Sequence, residues 1–151
     1  MNGRRGVVLA CVALALAACG AASGASEAML VERPRIGATP AGADAALYVD
    51  VRSPVDDRLV EVTADVSESV SLHETVESSG GEVMVEVDSF ALEAGEVLRL
   101  EPFGDHAMLE SLSEDLAPGD DVEVTFRFEQ HEPVTVVAEV KQLFDLAWQE
   151  N

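Results

Sequence analysis

The sequence predicts an all-β domain, a Greek-key sandwich or barrel of about eight or nine strands followed by a short C-terminal helix. Three observations predict it. From Met29 onward, short runs of alternating apolar and polar residues succeed one another, the period of half-buried strands. Turn-forming clusters punctuate the runs: Ser53-Pro54, Ser78-Ser79-Gly80-Gly81, Ala94-Gly95 and Pro118-Gly119-Asp120. The composition is globular, 48% hydrophobic and 25% charged over 151 residues. That is enough for one core with a short appendage, and it excludes disorder from end to end.

The chain begins with an address rather than a fold. Arg4 and Arg5 precede the apolar run Val7 to Leu16. At 1.5 Å per residue this run is too short for the ~30 Å of a bilayer core, and it suits a secretory leader. It ends in Leu16-Ala17-Ala18-Cys19-Gly20, which resembles the lipobox of bacterial lipoproteins. The resemblance implies cleavage after residue 18 and a lipid on Cys19, which becomes the first mature residue. Residues 19–27, with Ala-Ala-Ser-Gly-Ala-Ser at 21–26, read as a flexible tether. The other cysteine, Cys11, leaves with the leader. The mature chain is therefore expected to keep no thiol for a disulfide, a zinc-thiolate site or a nucleophile.

The β domain is expected over residues 28–140. Its strands read as Met29–Ile36, Ala45–Arg52, Arg58–Asp65, Ser69–Val76, Glu82–Asp88, Glu96–Glu101, His106–Leu112, Asp121–Glu129 and Pro133–Val140. The Asp121 run is the clearest, with Val122, Val124, Phe126 and Phe128 alternating with Glu123, Thr125 and Arg127. Residues 141–151 form the tail, and Lys141 to Gln149 can make a short amphipathic helix.

Charge and motifs exclude several function classes. Nine Lys+Arg stand against 29 Asp+Glu, a net charge of −20, which excludes a binder of nucleic-acid backbone. It also argues against docking on anionic lipid, so contact with a membrane is expected only through the lipid anchor. Ser71 and His73 are neighbours on one strand face, with no strained turn to aim a nucleophile. Gly80-Gly81 follows serines in a hairpin rather than opening a phosphate loop. An enzyme is not expected.

The informative residues break the alternation. With Val70, Leu72 and Val76 as the core phase of their strand, His73 lies on the opposite face with Ser71 and Thr75. With Val83, Val85 and Val87 as the core phase of the next, Met84 lies on the polar face beside Glu86. His106 and Met108 share a face opposite Ala107 and Leu109. If Ser78–Gly81 is the hairpin loop, Glu77 pairs with Glu82 and Thr75 with Met84. His73 is then diagonal to Met84 at roughly 7–8 Å. Two imidazoles and two thioethers can thus converge on one exposed patch. Thioether sulfur is soft and uncharged, so the set suits Cu(I) and is poor for zinc, calcium or magnesium.

The spacing His73-x10-Met84-x21-His106-x-Met108 resembles the copper-binding pattern of the periplasmic copper A chaperone family, PCu(A)C. Leu72-His73-Glu74-Thr75-Val76, Glu101 to Leu109, Leu116-Ala117-Pro118-Gly119-Asp120 and Ala45-Ala46-Leu47-Tyr48 are similar to its recurring segments. The likeness spans roughly residues 28 to 140. It implies a cupredoxin-like β domain that carries Cu(I) on His73, Met84, His106 and Met108. The implied acceptor is the copper A subunit of cytochrome c oxidase or another copper-assembly protein. The departures are local: Phe103 stands where the family has the first glycine of Pro-Gly-Gly, Ala107 where a large residue is common, and Val49-Asp50 follows Tyr48. His131, in a Gln-His-Glu-Pro turn, matches no motif position and reads as a solvated loop residue without copper.

The expected function is an extracytoplasmic, lipid-anchored Cu(I) chaperone working by ligand exchange. His106 and Met108 are expected to let go of the metal together, and His73 and Met84 last, on a stiffer hairpin. A lipid-anchored immunoglobulin-like adaptor with incidental His and Met is one alternative. A copper-buffering or resistance protein using the same site is the other.

Overall fold

A computed structural model describes residues 28–146. The leader, Cys19 and the tether lie outside the described residues, as do residues 147–151. Ten strands form: β1 (Leu30–Gly37), β2 (Ala45–Arg52), β3 (Asp57–Ala64), β4 (Ser69–Ser78), β5 (Gly81–Val87), β6 (Phe90–Leu92), β7 (Val97–Leu100), β8 (His106–Glu110), β9 (Asp121–Phe128) and β10 (Val134–Lys141), followed by the helix α1 (Leu143–Leu146). They hydrogen-bond in the order β5-β4-β8-β2-β1-β10-β9-β3-β6, with β7 also on β2. The sheet is mixed, since β1 runs parallel to β10 while the other pairs are antiparallel. No helix among the described residues is long and apolar enough to cross a membrane.

Alternation builds the core as the sequence expects. Ala45, Leu47, Val49 and Val51 of β2, Val122, Val124, Phe126 and Phe128 of β9, and Ala107 and Leu109 of β8 are all buried in one cluster. Strands from both halves of the order contribute to that cluster, so the sheet wraps a single apolar interior. Burying each of the Val, Leu and Phe side chains contributes about 1.5–3 kcal/mol.

Four readings of the sequence are corrected. Among the described residues there are ten strands, because the three-residue β6 pairs with β3 and was not expected. Its buried ends, Phe90 and Leu92, give too short an alternation to stand out from a turn. Val83 and Val85 are exposed rather than core, since β5 is the edge strand and runs past the apolar interior; only Val87 packs on it. The site is not a flat exposed patch, because His106 is only 6% exposed. Finally, His131 is not a free loop residue: its Nδ1 lies 2.6 Å from Oδ2 of the buried Asp57. In the tail, the described helix covers Leu143–Leu146, and the rest of the expected helix falls outside the described residues.

Candidate metal centre

The register of three strands decides which side chains meet. His73 of β4 stands directly opposite His106 of β8, and Ser71 opposite Met108. On the far side of β4, Thr75 stands opposite Met84 of β5; on the far side of β8, Met108 stands opposite Ala46 of β2. Directly opposite residues share a face, so His73, Met84, His106 and Met108 all project from one side of the sheet. It is the side away from the core, because the intervening Leu72, Ala107 and Leu47 are buried in the core cluster. The hairpin register is the one the sequence implies, with Glu77 opposite Glu82.

The four positions are not equivalent. The His73 and His106 rings meet edge to face, with centroids 5.2 Å apart and planes at 77°. Met108 lies one step along β8 on the same face, while Met84 is diagonal to His73 and 65% exposed. His106, Met108, Met84, Thr75, Phe103 and Leu146 help to line a cavity of about 510 Å³. His73 lies outside its wall and meets the site through the His106 ring. Glu82, also in the wall, and Glu86 flank Met84 on its face, so charge borders the one strongly exposed thioether.

His106 is aimed by a turn. β7 and β8 pair with successive parts of the same edge of β2: Leu100 stands opposite Val49 and Ala107 opposite Leu47. Residues 101–105 therefore loop out between them. The turn is closed by the Glu101 N–H donating to the Asp105 carbonyl at 2.7 Å and the Gly104 N–H to the Glu101 carbonyl at 3.1 Å. Within it, Phe103 has φ +65°, a left-handed conformation that glycine adopts freely and a bulky residue at a cost of about 1–2 kcal/mol. Phe103 is also 86% exposed. The structure thus gives a reason for the glycine that the family pattern has there, and this chain departs from it. His106 Nδ1 sits 2.9 Å from the Gly104 carbonyl oxygen. A carbonyl only accepts, so Nδ1 carries the hydrogen and, in the neutral ring, the Nε2 lone pair is left for a ligand.

Around these residues the face is polar and ordered. The hydroxyls of Ser69 and Ser71 donate to Glu110 at 2.7 and 2.8 Å. Those bonds, with His73 nearby, hold the Glu110 carboxyl below its ordinary range against the opposing effect of burial. Tyr48, in the cavity wall, carries the Arg35 guanidinium 5.9 Å from its ring centroid. Burial pushes the Tyr48 hydroxyl up, and Arg35 partly offsets this.

Chemically, the arrangement offers two imidazole rings and two soft sulfurs. Among the described residues no group of three or more His, Cys, Asp or Glu side chains is placed to hold a metal ion. Sequence reasoning put Thr75 on the face of His73 and opposite Met84, but missed the hydrogen bonds that tie Thr75, Gly104 and Asp105 to His106.

Residues 29–140 match the family described as "Putative lipoprotein LpqE-like", and the chain belongs to that family. The relative named "Putative lipoprotein Lxx21020" in Leifsonia xyli subsp. xyli is 39% identical over 84 residues, 55% of this chain and 51% of its own. The chain therefore spans about half the length of the curated relative it matches. Among solved structures, the copper-bound PCuAC domain from PmoF2 superposes with a TM-score of 0.63 at 26% identity, covering 76% of this chain and 92% of that one. The Cu(I) form of DR1885 from Deinococcus radiodurans gives 0.59 at 26% identity, covering 82% and 87%. The resemblance to PCu(A)C read from the sequence is matched by these solved PCuAC domains, and the fold is cupredoxin-like.

Proposed function

We propose that this domain is an extracytoplasmic Cu(I) chaperone, held to the membrane by a lipid on Cys19. It delivers copper by ligand exchange to the copper A subunit of cytochrome c oxidase or another copper-assembly protein. One observation carries the reading: the cross-strand pairing of His73 with His106, with Met108 and Met84 on the same face. The PCuAC domain of PmoF2, described as copper-bound, and DR1885, described in its Cu(I) form, share this fold, which supports copper as the cargo. The lipoprotein descriptions of the family and of the Leifsonia relative support the anchor. A thioether-rich set favours Cu(I) over Zn(II), and carriage requires binding and release rather than a catalytic group.

Exposure revises the order of release. Met84, on an edge strand and largely open to solvent, is the ligand an incoming acceptor reaches first. His106, nearly buried and tied to Gly104, is the last to let go. Transfer then proceeds by replacing Met84, then Met108, within a transient complex.

Titration against a colorimetric Cu(I) chelator is expected to show one equivalent retained, with Zn(II) unable to displace it. Zinc binding as tight as copper would overturn the reading. Cys19→Ser is expected to release the protein from membranes into the soluble fraction; retention of the serine variant would refute the lipid anchor.

A further inference from the structure

The β4–β8 ladder ends at the His73–His106 pair, yet the turn that aims His106 lies beyond that end. Thr75 bridges the gap. Its backbone N–H donates to Asp105 Oδ1 at 2.9 Å, and its hydroxyl donates to the Gly104 carbonyl at 2.8 Å. That carbonyl is the one that accepts His106 Nδ1–H at 2.9 Å. Two donors from different strands thus converge on one oxygen. Thr75 is also the residue opposite Met84 and lies in the cavity wall. It therefore touches the hairpin that carries His73 and Met84 and the turn that precedes His106 and Met108.

We propose that Thr75 is a positioning residue that locks these two halves into one frame and fixes the His106 ring with Nε2 turned to the cargo. The inference rests on the copper-carrier reading for its purpose, but the clamp itself is a property of the metal-free protein. Without the hydroxyl, the Gly104 carbonyl keeps only His106 as a side-chain donor, the 101–105 turn loses a tie to β4, and the acceptor of the His106 ring is no longer held in place. Partners that orient a metal-binding histidine commonly contribute 10–100-fold in affinity.

Two variants test this. Thr75→Val keeps the shape and β-propensity of the side chain and removes the hydroxyl; Thr75→Ser keeps the hydroxyl and removes the methyl. In the metal-free protein, ¹⁵N spectra of the imidazoles are expected to show His106 as the Nδ1–H tautomer in the parent and in Thr75→Ser, and a tautomer mixture in Thr75→Val. Cu(I) affinity is expected to fall 10–100-fold in Thr75→Val and to stay within about threefold of the parent in Thr75→Ser. A Thr75→Val protein with an unchanged tautomer and parental affinity would overturn the proposal, as would a Thr75→Ser protein as impaired as Thr75→Val. Should the parent hold no Cu(I), the chaperone reading fails while the tautomer measurement still decides the clamp.

Discussion

His106→Ala is expected to lower Cu(I) affinity by more than roughly 100-fold, because changing even an outer partner of a metal-binding histidine costs 10–100-fold. The ring is the most buried of the four expected ligands, its Nδ1 is committed to Gly104, and it meets the His73 ring edge to face. One substitution therefore removes a ligand and leaves the other imidazole without its neighbour. His131→Ala serves as the contrast, since that ring belongs to the Asp57 contact at β3, far along the strand order from β4 and β8. It is expected to leave copper stoichiometry unchanged. Chelator competition on both variants, with far-UV circular dichroism to confirm folding, checks the pair. A His106→Ala protein that retains parental affinity would refute the assignment of the site.

The largest stability effect is expected at Asp57. The Asp57 carboxylate is buried at the start of β3 and accepts from the Arg58 N–H at 2.7 Å, the Gln130 N–H at 3.0 Å and His131 Nδ1 at 2.6 Å. These bonds pin the β9–β10 connection to β3. Burial alone would push the carboxyl up, but the bonds from His131, Arg58 and Gln130 together hold it below its ordinary range. Asp57→Ala leaves two backbone N–H groups and an imidazole without their acceptor, and is expected to destabilise the domain by about 3 kcal/mol at neutral pH. The folded value lies below the unfolded one, so the contribution is complete above the unfolded value, about pH 4. It is lost as pH falls through the folded value. The deficit of the variant relative to the parent should therefore shrink in acid. Urea unfolding from pH 7 down to pH 3 measures it; a deficit that grows in acid would refute the account.

Much of this was legible in the sequence where one residue type has one physical meaning. The alternation in β9 and the small and branched residues of β2 mark strands with one buried face, and the turn clusters bound them. The four expected ligand positions stood out because His and Met on polar strand faces are out of place, and because their spacing matches a family pattern. Other features leave no such mark. Val83 and Val85 alternate like core residues, but alternation reports two unlike faces and cannot say whether another layer covers either one. The Asp57–His131 contact joins residues 74 positions apart, and a solitary histidine in a turn gives no hint of it. The Gly104 carbonyl is backbone, so the acceptor that orients His106 has no residue-type signature at all.

The antiparallel pairing of β1 with β2 also fixes where the proposed site lies relative to the start of the domain. Leu30, the first residue of β1, stands opposite Arg52 at one end of β2, whereas Ala46, beside Met108, is at the other. Six residues of extended chain separate Arg52 from Ala46, roughly 20 Å at 3.3 Å per residue. A leash attached ahead of Leu30, as the proposed lipid on Cys19 would provide, would therefore pull on the end of β2 away from Met108. On the copper-carrier reading, a domain moored that way would present its metal on the side away from the mooring.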